Sequence, residues 1–306
     1  MELSDYHVGG EEIDPRVTVG IVTWNRRKKV LEAIASALRR EENVEILVVD
    51  NGSEDGTPDA IREHFPQVRV IELHSNIGCP GARNVIFEEA RGEYILCLDD
   101  DGLLDSRAVK VVTEVFDGDI SVGAVALRLM YTNTADRGRW YGSLEHAMEV
   151  GSFSGGCVCL RKSALDDVGY YPAYFFLYAE EADLSLRLLD AGYKIIAEPR
   201  AVMWHPRIGG SDGRGMDIYR FRNPLLVAAR LYPPLMMTKY IVFRTVRYCW
   251  MSIRRRTFRA YLTALLEFCQ LAPRVFRSER RPVAGRVLRW HRTHRSCDEG
   301  DTTPAK

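Results

Sequence analysis

Three consecutive carboxylates, Asp99–Asp101, follow the apolar segment YILCL. Adjacent carboxylates repel one another, so they must be solvated, capped or neutralised by a cation. Carboxylate oxygens suit hard ions such as Mg²⁺ and Mn²⁺. In an extended chain, Asp99 and Asp101 point to one side and Asp100 points to the other. We therefore predict a metal site at Asp99 and Asp101; the alternative is that the three residues only cap a turn.

Polar side chains also follow two earlier apolar segments. Thr23, Trp24 and Asn25 come after VTVGIV, and Asp50 ends VEILVVD. In open parallel sheets, ligands bind beyond the carboxyl ends of the strands. Asp50 could accept hydrogen bonds from a base or a ribose, or it could start an Asx-turn at DNGS. We expect these residues to line one sheet edge together with Asp99–Asp101.

The segment NIGCPGARN is a glycine-containing loop that runs into a helix. It contains Asn76, Gly78, Gly81 and Arg83. The glycines permit close approach of a backbone, and the arginine could clamp a phosphate through two hydrogen bonds. We predict that this loop contributes to an anion site.

Acidic residues begin a later helix in YAEEADLSLRL. A carboxylate beside a bound diphosphate could take a proton from a hydroxyl group, so Glu180, Glu181 and Asp183 are candidate bases. Asp183 could instead form a surface ion pair with Arg187, four residues later. His205 follows a short apolar segment and is either a structural histidine or a third metal ligand.

The elements that must position these residues alternate between strands and helices. Each early strand is almost continuously apolar, which predicts a mostly parallel, Rossmann-like sheet with helices on both faces, that is, an α/β fold. The predicted strands are 17–24, 44–50, 68–73, 93–98, 122–129, 155–161, 194–197 and 200–204. The predicted helices are 26–39, 57–65, 82–91, 106–117 and 180–191.

Charge is distributed unevenly along the 306 residues. Lys and Arg balance Asp and Glu at 42 each, but the segment Arg207–Arg295 carries twenty basic residues and four acids. Such a segment is either a set of packed helices with a solvated cationic face or a platform for an anionic membrane surface. No motif for reading nucleic acid accompanies it. We predict a flexible arm at 1–15, a catalytic domain at 16–206, a basic helical region at 207–295 and a disordered tail at 296–306.

Cysteine usage and hydropathy predict a cytoplasmic protein. The seven cysteines are scattered, and Cys157 and Cys159 have the wrong spacing for a redox pair or a zinc site. The segment Met1–Arg16 is polar and acid-rich, unlike a signal peptide. The most apolar stretch, Pro224–Met251, is interrupted by charges and prolines, so it predicts no membrane span. We predict a cytoplasmic location, with peripheral attachment to the inner face of the membrane as an alternative.

Taken in order, six motifs between about residues 16 and 206 resemble the family 2 glycosyltransferases, with most similarity to the rhamnosyltransferase-like branch that includes galactofuranosyl transferases. A further segment, FRNPLLVAARLYP, is similar to the Arg-Asn segment that often follows the catalytic domain in that branch. The motifs are VTVGIVTWNR, ILVVDNGSEDGT, NIGCPGARN, YILCLDDD, GGCVCLRKSALDDVGYY and YAEEADLSLRLLDAGY with MWH.

The resemblance implies a GT-A fold and roles for individual residues. It places Thr23, Trp24 and Asp50 around a nucleobase, and Arg83 with its neighbours at a diphosphate. It implies that Asp99 and Asp101 are the first and last acids of a D-x-D element and that His205 completes the metal shell. The base motif of the family is usually Glu-Asp or Asp-Asp and here reads Glu180-Glu181; we favour Glu181 as the base.

The implied activity is inverting transfer of a sugar from a UDP or dTDP donor to a hydroxyl group on a glycan, a lipid-linked or a small-molecule acceptor, with Mn²⁺ or Mg²⁺. Two alternatives are a nucleotidyltransferase and a non-catalytic module that binds nucleotide sugars. A nucleotidyltransferase normally has a glycine-rich loop after the first strand, and TWNRRKK contains no glycine.

Overall fold

A computed structural model describes residues 15–38, 44–131, 146–206 and 216–294. The predicted arm, apart from Pro15, and the predicted tail lie outside the described residues. The strands are β1 (Val17–Thr23), β2 (Val44–Asp50), β3 (Arg69–Glu72), β4 (Tyr94–Asp99), β5 (Leu103–Leu104), β6 (Val122–Tyr131), β7 (Met148–Glu149), β8 (Cys157–Arg161) and β9 (Lys194–His205). The helices are α1 (Arg27–Ala37), α2 (Thr57–His64), α3 (Gly78–Glu89), α4 (Ala108–Gly118), α5 (Lys162–Val168), α6 (Glu180–Asp190), α7 (Asp217–Leu231), α8 (Pro234–Arg254), α9 (Phe258–Arg274) and α10 (Gly285–Thr293).

One sheet runs through the molecule in the order β3-β2-β1-β4-β8-β6-β9-β5, with β7 paired to β9. Strands β3, β2, β1 and β4 are parallel, as expected for apolar strands that alternate with helices. Strand β8 is antiparallel to both β4 and β6. The predicted α/β class is confirmed, but the sheet is parallel only in its first half and mixed in its second, because strand composition does not encode strand direction.

Helices cover both faces of the sheet, and β2 shows how. Successive side chains of a strand point to opposite faces. Ile46 and Val48 join a core cluster with residues of α1 and α4, whereas Leu47 and Val49 join a second cluster with residues of α3 and α6. The apolar run in β2 therefore follows from burial on both sides.

The later elements differ from the prediction in several respects, and the two-residue strands β5 and β7 were not predicted. The segments 194–197 and 200–204 form one strand, β9, whose pairing with β6 shifts register between Leu127 and Arg128. This irregularity interrupts the apolar pattern and made one strand look like two. Helix α5 was not predicted, because its seven residues are too few to show a helical period.

The helices after residue 216 pack on the sheet-containing part of the chain through α7. Leu226 and Val227 of α7 are buried in one cluster with Leu186 of α6 and Phe175, which precedes α6. None of the described helices has the length and hydropathy that a membrane span requires. Helix α7 therefore contacts the region that carries the acidic start of α6.

Candidate active site

The register of the parallel strands brings the predicted polar residues to one edge of the sheet. Thr23 pairs with Asp50 across β1 and β2, and Val22 pairs with Asp99 across β1 and β4. Thr23 Oγ1 donates to Asp100 Oδ2 at 3.1 Å. The ends of three neighbouring strands thus form one continuous polar edge.

The acidic triplet lies in a turn rather than in an extended chain. Strand β4 ends at Asp99, and the Gly102 N–H donates to the Asp99 carbonyl at 2.9 Å. Arg26 Nη1 donates to Asp100 at 3.2 Å and to Asp101 at 2.9 Å. The strict alternation of an extended chain therefore does not apply, and the sequence analysis missed Arg26 because its partners, in the turn after β4, are more than seventy residues away in sequence.

His205 faces the acidic turn from the end of β9. Its Nε2 lies 2.7 Å from Asp101 Oδ1 and 4.0 Å from Asp99 Oδ2, and its Nδ1 lies 2.7 Å from the Pro206 carbonyl. A carbonyl oxygen only accepts, so Nδ1 carries a hydrogen. Nε2, 2.7 Å from the carboxylate, is at direct hydrogen-bond distance and therefore donates to Asp101 as a protonated nitrogen.

These donors fit a hard divalent cation in type, because Mn²⁺ and Mg²⁺ accept carboxylate and imidazole ligands. One carboxylate oxygen of Asp99 has another partner, since Arg83 Nη2 donates to its Oδ1 at 2.9 Å. Within the described ranges, no three His, Cys, Asp or Glu side chains form a complete ligand cluster. Other ligands would have to come from a substrate or from water.

The protein environment shifts the pKa values of Asp100, Asp101 and His205. Burial raises the pKa of Asp100 to about 6, against the opposing effect of Arg26. For Asp101, burial is outweighed by hydrogen bonds and charges from His205 and Arg26, which hold its pKa below the usual value. Burial alone would lower the pKa of His205, but the hydrogen bond with Asp101 and its charge raise it.

Asp50 has one occupied and one unoccupied carboxylate oxygen. Its Oδ2 accepts from the Ser53 N–H at 2.8 Å, three residues on, so the side chain holds the turn at DNGS without the i to i+2 bond of an Asx-turn. Its Oδ1 is buried and has no hydrogen-bond partner among the described residues. Because buried polar atoms are rarely left unsatisfied, this oxygen is available to a ligand at the strand edge.

The neighbouring turns are held by amide side chains. Asn25, at φ +52°, accepts from the Glu54 N–H at 2.8 Å, so it fixes the turn after β2. The buried Asn51, which follows Asp50 at the end of β2, donates to Asn76 Oδ1 at 3.1 Å and accepts from the Ile77 N–H at 2.9 Å. Trp24 is 50% exposed beside these turns.

Gly78 has a different neighbour from the one predicted. At φ +82° it accommodates the backbone of Phe176, whose carbonyl oxygen would lie 2.5 Å from an added Cβ. The Cys79 N–H donates to the same carbonyl at 2.9 Å. The glycine is therefore required by the segment before α6, and its close approach is to protein backbone rather than to a phosphate.

Two glycines, Gly155 and Gly156, precede β8 and lie against three of the predicted site residues. A Cβ on Gly155 would lie 2.3 Å from Arg83 Nη1 and 2.5 Å from Glu181 Oε1. A Cβ on Gly156 would lie 1.9 Å from Asp99 Cγ. The two glycines thus allow Asp99, Arg83 and Glu181 to pack against one stretch of backbone. The GG that opens GGCVCLR was the available signal for them.

The acids of α6 differ sharply in environment. Glu181 is partly exposed, and its Oε1 accepts from the Gly155 N–H at 3.2 Å. Glu180 is buried, and burial together with the charge of Glu181 raises its pKa to about 8. Asp183 is fully buried and bound by Arg187 Nε at 2.8 Å and Arg230 Nε at 2.7 Å, so the ion pair expected at the surface is internal. These bonds support a structural role for Asp183.

The chain enters α6 through a turn with unusual backbone angles. Phe176, Tyr178 and Ala179 have φ of +64°, +70° and +69°, which cost non-glycine residues energy. Asn223 Nδ2 donates to the carbonyls of residues 175, 177 and 178 at 2.9, 2.7 and 2.8 Å. Arg222 Nη2 donates to the carbonyls of residues 174 and 175 at 2.8 and 3.1 Å. The FRNP segment of α7 therefore holds the turn that carries the two glutamates.

Comparison with known proteins identifies the family. The sequence model described as "Glycosyl transferase family 2" matches residues 18–178, which is more than half of the chain. The chain belongs to glycosyl transferase family 2. It is therefore a glycosyltransferase, as the sequence analysis predicted, and the prediction of a nucleotidyltransferase as an alternative is not supported.

Relatives of this glycosyltransferase agree with its fold. It is 28% identical over 200 residues to a poly-beta-1,6-N-acetyl-D-glucosamine synthase of Staphylococcus epidermidis, covering 60% of this chain and 48% of the relative. The chain thus spans about half the length of the curated relatives it matches. Its fold is similar to TarS 1–349 of S. aureus in complex with UDP-GlcNAc (TM-score 0.63, 18% identity, 85% and 82% coverage). It is also similar to the mannosyltransferase PcManGT of Pyrobaculum calidifontis in complex with GDP-Man and Mn²⁺ (TM-score 0.56, 21% identity, 85% and 76% coverage).

These structural similarities confirm the predicted GT-A fold for this family 2 glycosyltransferase. The rhamnosyltransferase-like branch stays a prediction, because none of the relatives above belongs to it by name.

Proposed function

We propose that this glycosyltransferase moves a sugar, with inversion, from a nucleotide-diphosphate-sugar to a hydroxyl acceptor with the help of a divalent cation. The observation that carries the proposal is the packing of Arg83, Glu181 and Asp99 against Gly155 and Gly156, which brings the three side chains together. Arg83 is suited to a diphosphate, Asp99 to its cation and Glu181 to proton removal.

The donor nucleoside would bind at the ends of β1 and β2. The buried Oδ1 of Asp50 could accept a hydrogen bond from a ribose hydroxyl or a base N–H. Thr23 and the exposed Trp24 lie at the same edge, and Asn76 is held beside it by Asn51. The nucleotide-sugar complexes of TarS and PcManGT support this class of donor. We retain UDP or dTDP as the expected nucleotides.

Asp101 and His205 would hold Mn²⁺ or Mg²⁺, with Asp99 alongside. The cation, when bound, stabilises the negative charge that develops on the departing diphosphate. Arg83, which packs against Gly155, would contribute a further positive charge. Nearby acids and Cys79 hold its pKa far above neutrality despite its burial. The Mn²⁺ in the PcManGT complex supports a requirement for a divalent cation.

Glu181 is the carboxylate best suited to act as the base. It is partly exposed, and the Gly155 N–H donates a hydrogen bond to one of its carboxylate oxygens. Glu180, with a pKa of about 8, carries a proton at neutral pH and cannot accept another.

The reaction is a single displacement. The acceptor oxygen attacks the anomeric carbon from the face opposite the diphosphate while Glu181 takes the hydroxyl proton. The bond from the anomeric carbon to the diphosphate oxygen breaks in the same step, and the nucleoside diphosphate leaves. The sugar therefore changes anomeric configuration.

The test is release of nucleoside diphosphate from a panel of UDP-, dTDP- and GDP-sugars, with and without Mn²⁺. We expect one donor to be turned over in a Mn²⁺-dependent manner and Asp101→Ala to abolish turnover. Glu181→Gln should lower kcat by ~10²–10⁴-fold with donor binding intact. The matched control is Glu88→Gln, an exposed glutamate of α3, which should leave kcat unchanged.

Two results would contradict the proposal. Near-normal turnover by Glu181→Gln would show that Glu181 is not the base. Binding of a nucleotide sugar without any turnover, in the presence of glycan, lipid-linked and small-molecule acceptors, would favour the non-catalytic module. Rhamnosyl and galactofuranosyl donors in the panel test the predicted branch.

A further inference from the structure

Helix α8 exposes an apolar stripe along its outer face. Its members lie at spacings that place them on one side of the helix, and each is more than half exposed to solvent. They are Leu235 (70%), Val242 (60%), Phe243 (62%), Val246 (68%), Trp250 (57%) and Ile253 (61%). Single exposed apolar residues are ordinary, but a continuous stripe of large ones indicates an interaction surface.

The opposite side of α8 is already packed. Tyr248 is buried in a cluster with Phe221 of α7 and with Tyr261 and Ala264 of α9, and Ser252 is also buried. The helix therefore cannot rotate to bury its stripe without breaking this cluster. Helix α9 also exposes large apolar side chains, namely Leu262 (45%) and Leu266 (66%).

Charge decides which partner the stripe fits. Helix α8 contains Lys239, Arg244, Arg247 and Arg254 and no acidic residue. Lys239 is exposed within the stripe, and the Arg254 guanidinium lies 4.5 Å from the centroid of the Trp250 ring. Basic side chains beside Trp, Phe and Leu on an amphipathic helix are typical of binding to the interface of an anionic membrane.

A second copy of the chain fits the stripe less well. A symmetric dimer through α8 would bring two helices together that both carry cations and no acids. Those like charges would repel one another across the interface. An anionic lipid surface instead attracts each cation near the membrane.

We propose that the α8 stripe lies on an anionic phospholipid surface, with Phe243 and Trp250 inserted between headgroups and Lys239 near the phosphates. The helix lies along the membrane and does not cross it, because its inner face stays packed on α7 and α9. This inference uses neither the donor site nor the reaction, and it would place the enzyme where lipid-linked hydroxyl acceptors are found.

The test is co-sedimentation of the full chain with vesicles, without donor or cation. We expect binding to vesicles of phosphatidylcholine mixed with phosphatidylglycerol, weak binding to phosphatidylcholine alone, and a loss of binding as salt rises. The double variant Phe243→Ser/Trp250→Ser should lower the partition coefficient at least ~tenfold. Lys239→Glu should weaken binding to the anionic vesicles several-fold.

The matched control is Ile120→Ser, which removes a side chain that is 78% exposed between α4 and β6. It should bind vesicles as the wild type does. Thermal unfolding of every variant checks that the fold is retained. Failure of the wild type to bind anionic vesicles, or equal binding by the double variant, would overturn the proposal. A concentration-dependent dimer in sedimentation velocity, lost in the double variant and without vesicle binding, would assign the stripe to a second copy instead.

Discussion

Replacing Asn223 by Asp should disable the enzyme by releasing the turn that carries Glu181. The Asn223 side chain is fully buried, and its amide nitrogen lies within 2.9 Å of the carbonyls of residues 175, 177 and 178. Aspartate keeps the volume of the side chain, so no cavity forms, but its carboxylate cannot donate and brings a buried negative charge against the three carbonyl oxygens.

The expected magnitude follows from the turn itself. Each buried carbonyl left without a donor costs about 1–3 kcal/mol, so the loss of two amide hydrogens is worth about 2–6 kcal/mol. The left-handed angles of Phe176, Tyr178 and Ala179 cost about 1–2 kcal/mol each, a sum of similar size. Without Asn223 the strained turn has little to hold it, and α6 should shift at its first residue. A displacement of about 1 Å at Glu181 lowers kcat ~10²-fold.

The assay measures kcat, the donor KM and thermal unfolding together. The matched control is Thr18→Val, because Thr18 is also fully buried and makes two hydrogen bonds, to Glu45 at 2.6 Å and from the Gly92 N–H at 2.9 Å. It lies near the start of β1, at the end of the sheet opposite the site. Both variants should lose stability, but only Asn223→Asp should lose kcat, with the donor KM little changed. Equal kcat in the two variants would show that Asn223 serves stability alone.

Two further predictions test the approach of Gly156 to Asp99 and the burial of Glu180. Gly156→Ala should lower turnover at least ~tenfold, because the added Cβ would lie 1.9 Å from Asp99 Cγ. The control is Gly118→Ala, which should be neutral because nothing lies within 4 Å of its added Cβ. Normal kinetics of Gly156→Ala would remove Asp99 from the proposal. The pKa of Glu180 is about 8 in the folded protein and about 4.5 in the unfolded chain. The stability that this raised pKa gives the folded protein is complete below pH ~4.5 and is lost as pH rises to about 8. The loss is at most about 1.4 kcal/mol per pH unit. Thermal unfolding should therefore show Glu180→Gln gaining on the wild type between pH 5 and pH 8, and a pH-independent difference would contradict the assigned burial effect.

The first half of the fold could be predicted because its signals are local. The strands β1, β2 and β4 are apolar on both faces, alternate with amphipathic helices and end in polar residues. Parallel pairing then brings Thr23, Asp50 and Asp99 to one edge, since parallel strands end on the same side. No long-range information was needed to place these residues together.

The second half of the site depends on contacts that composition does not encode. Gly156 approaches Asp99 because β8 runs antiparallel beside β4, and strand direction has no signature in an apolar pentapeptide. Asn223 reaches the turn before α6 from another helix, so its role is visible only once α7 is packed. The sequence contains the signals GG and RN, but it does not show which residues they contact.

The sequence alone also cannot decide between Glu180 and Glu181 as the base. The two side chains are chemically identical and adjacent, so residue type cannot separate them. Successive residues of a helix point about 100° apart, which sends Glu180 into the core and Glu181 toward Gly155. That rotation sets which carboxylate carries a proton at neutral pH, because burial raises the pKa of Glu180 to about 8. The phase of α6 is fixed in turn by the Asn223 turn, so the identity of the base depends on a residue from a different helix.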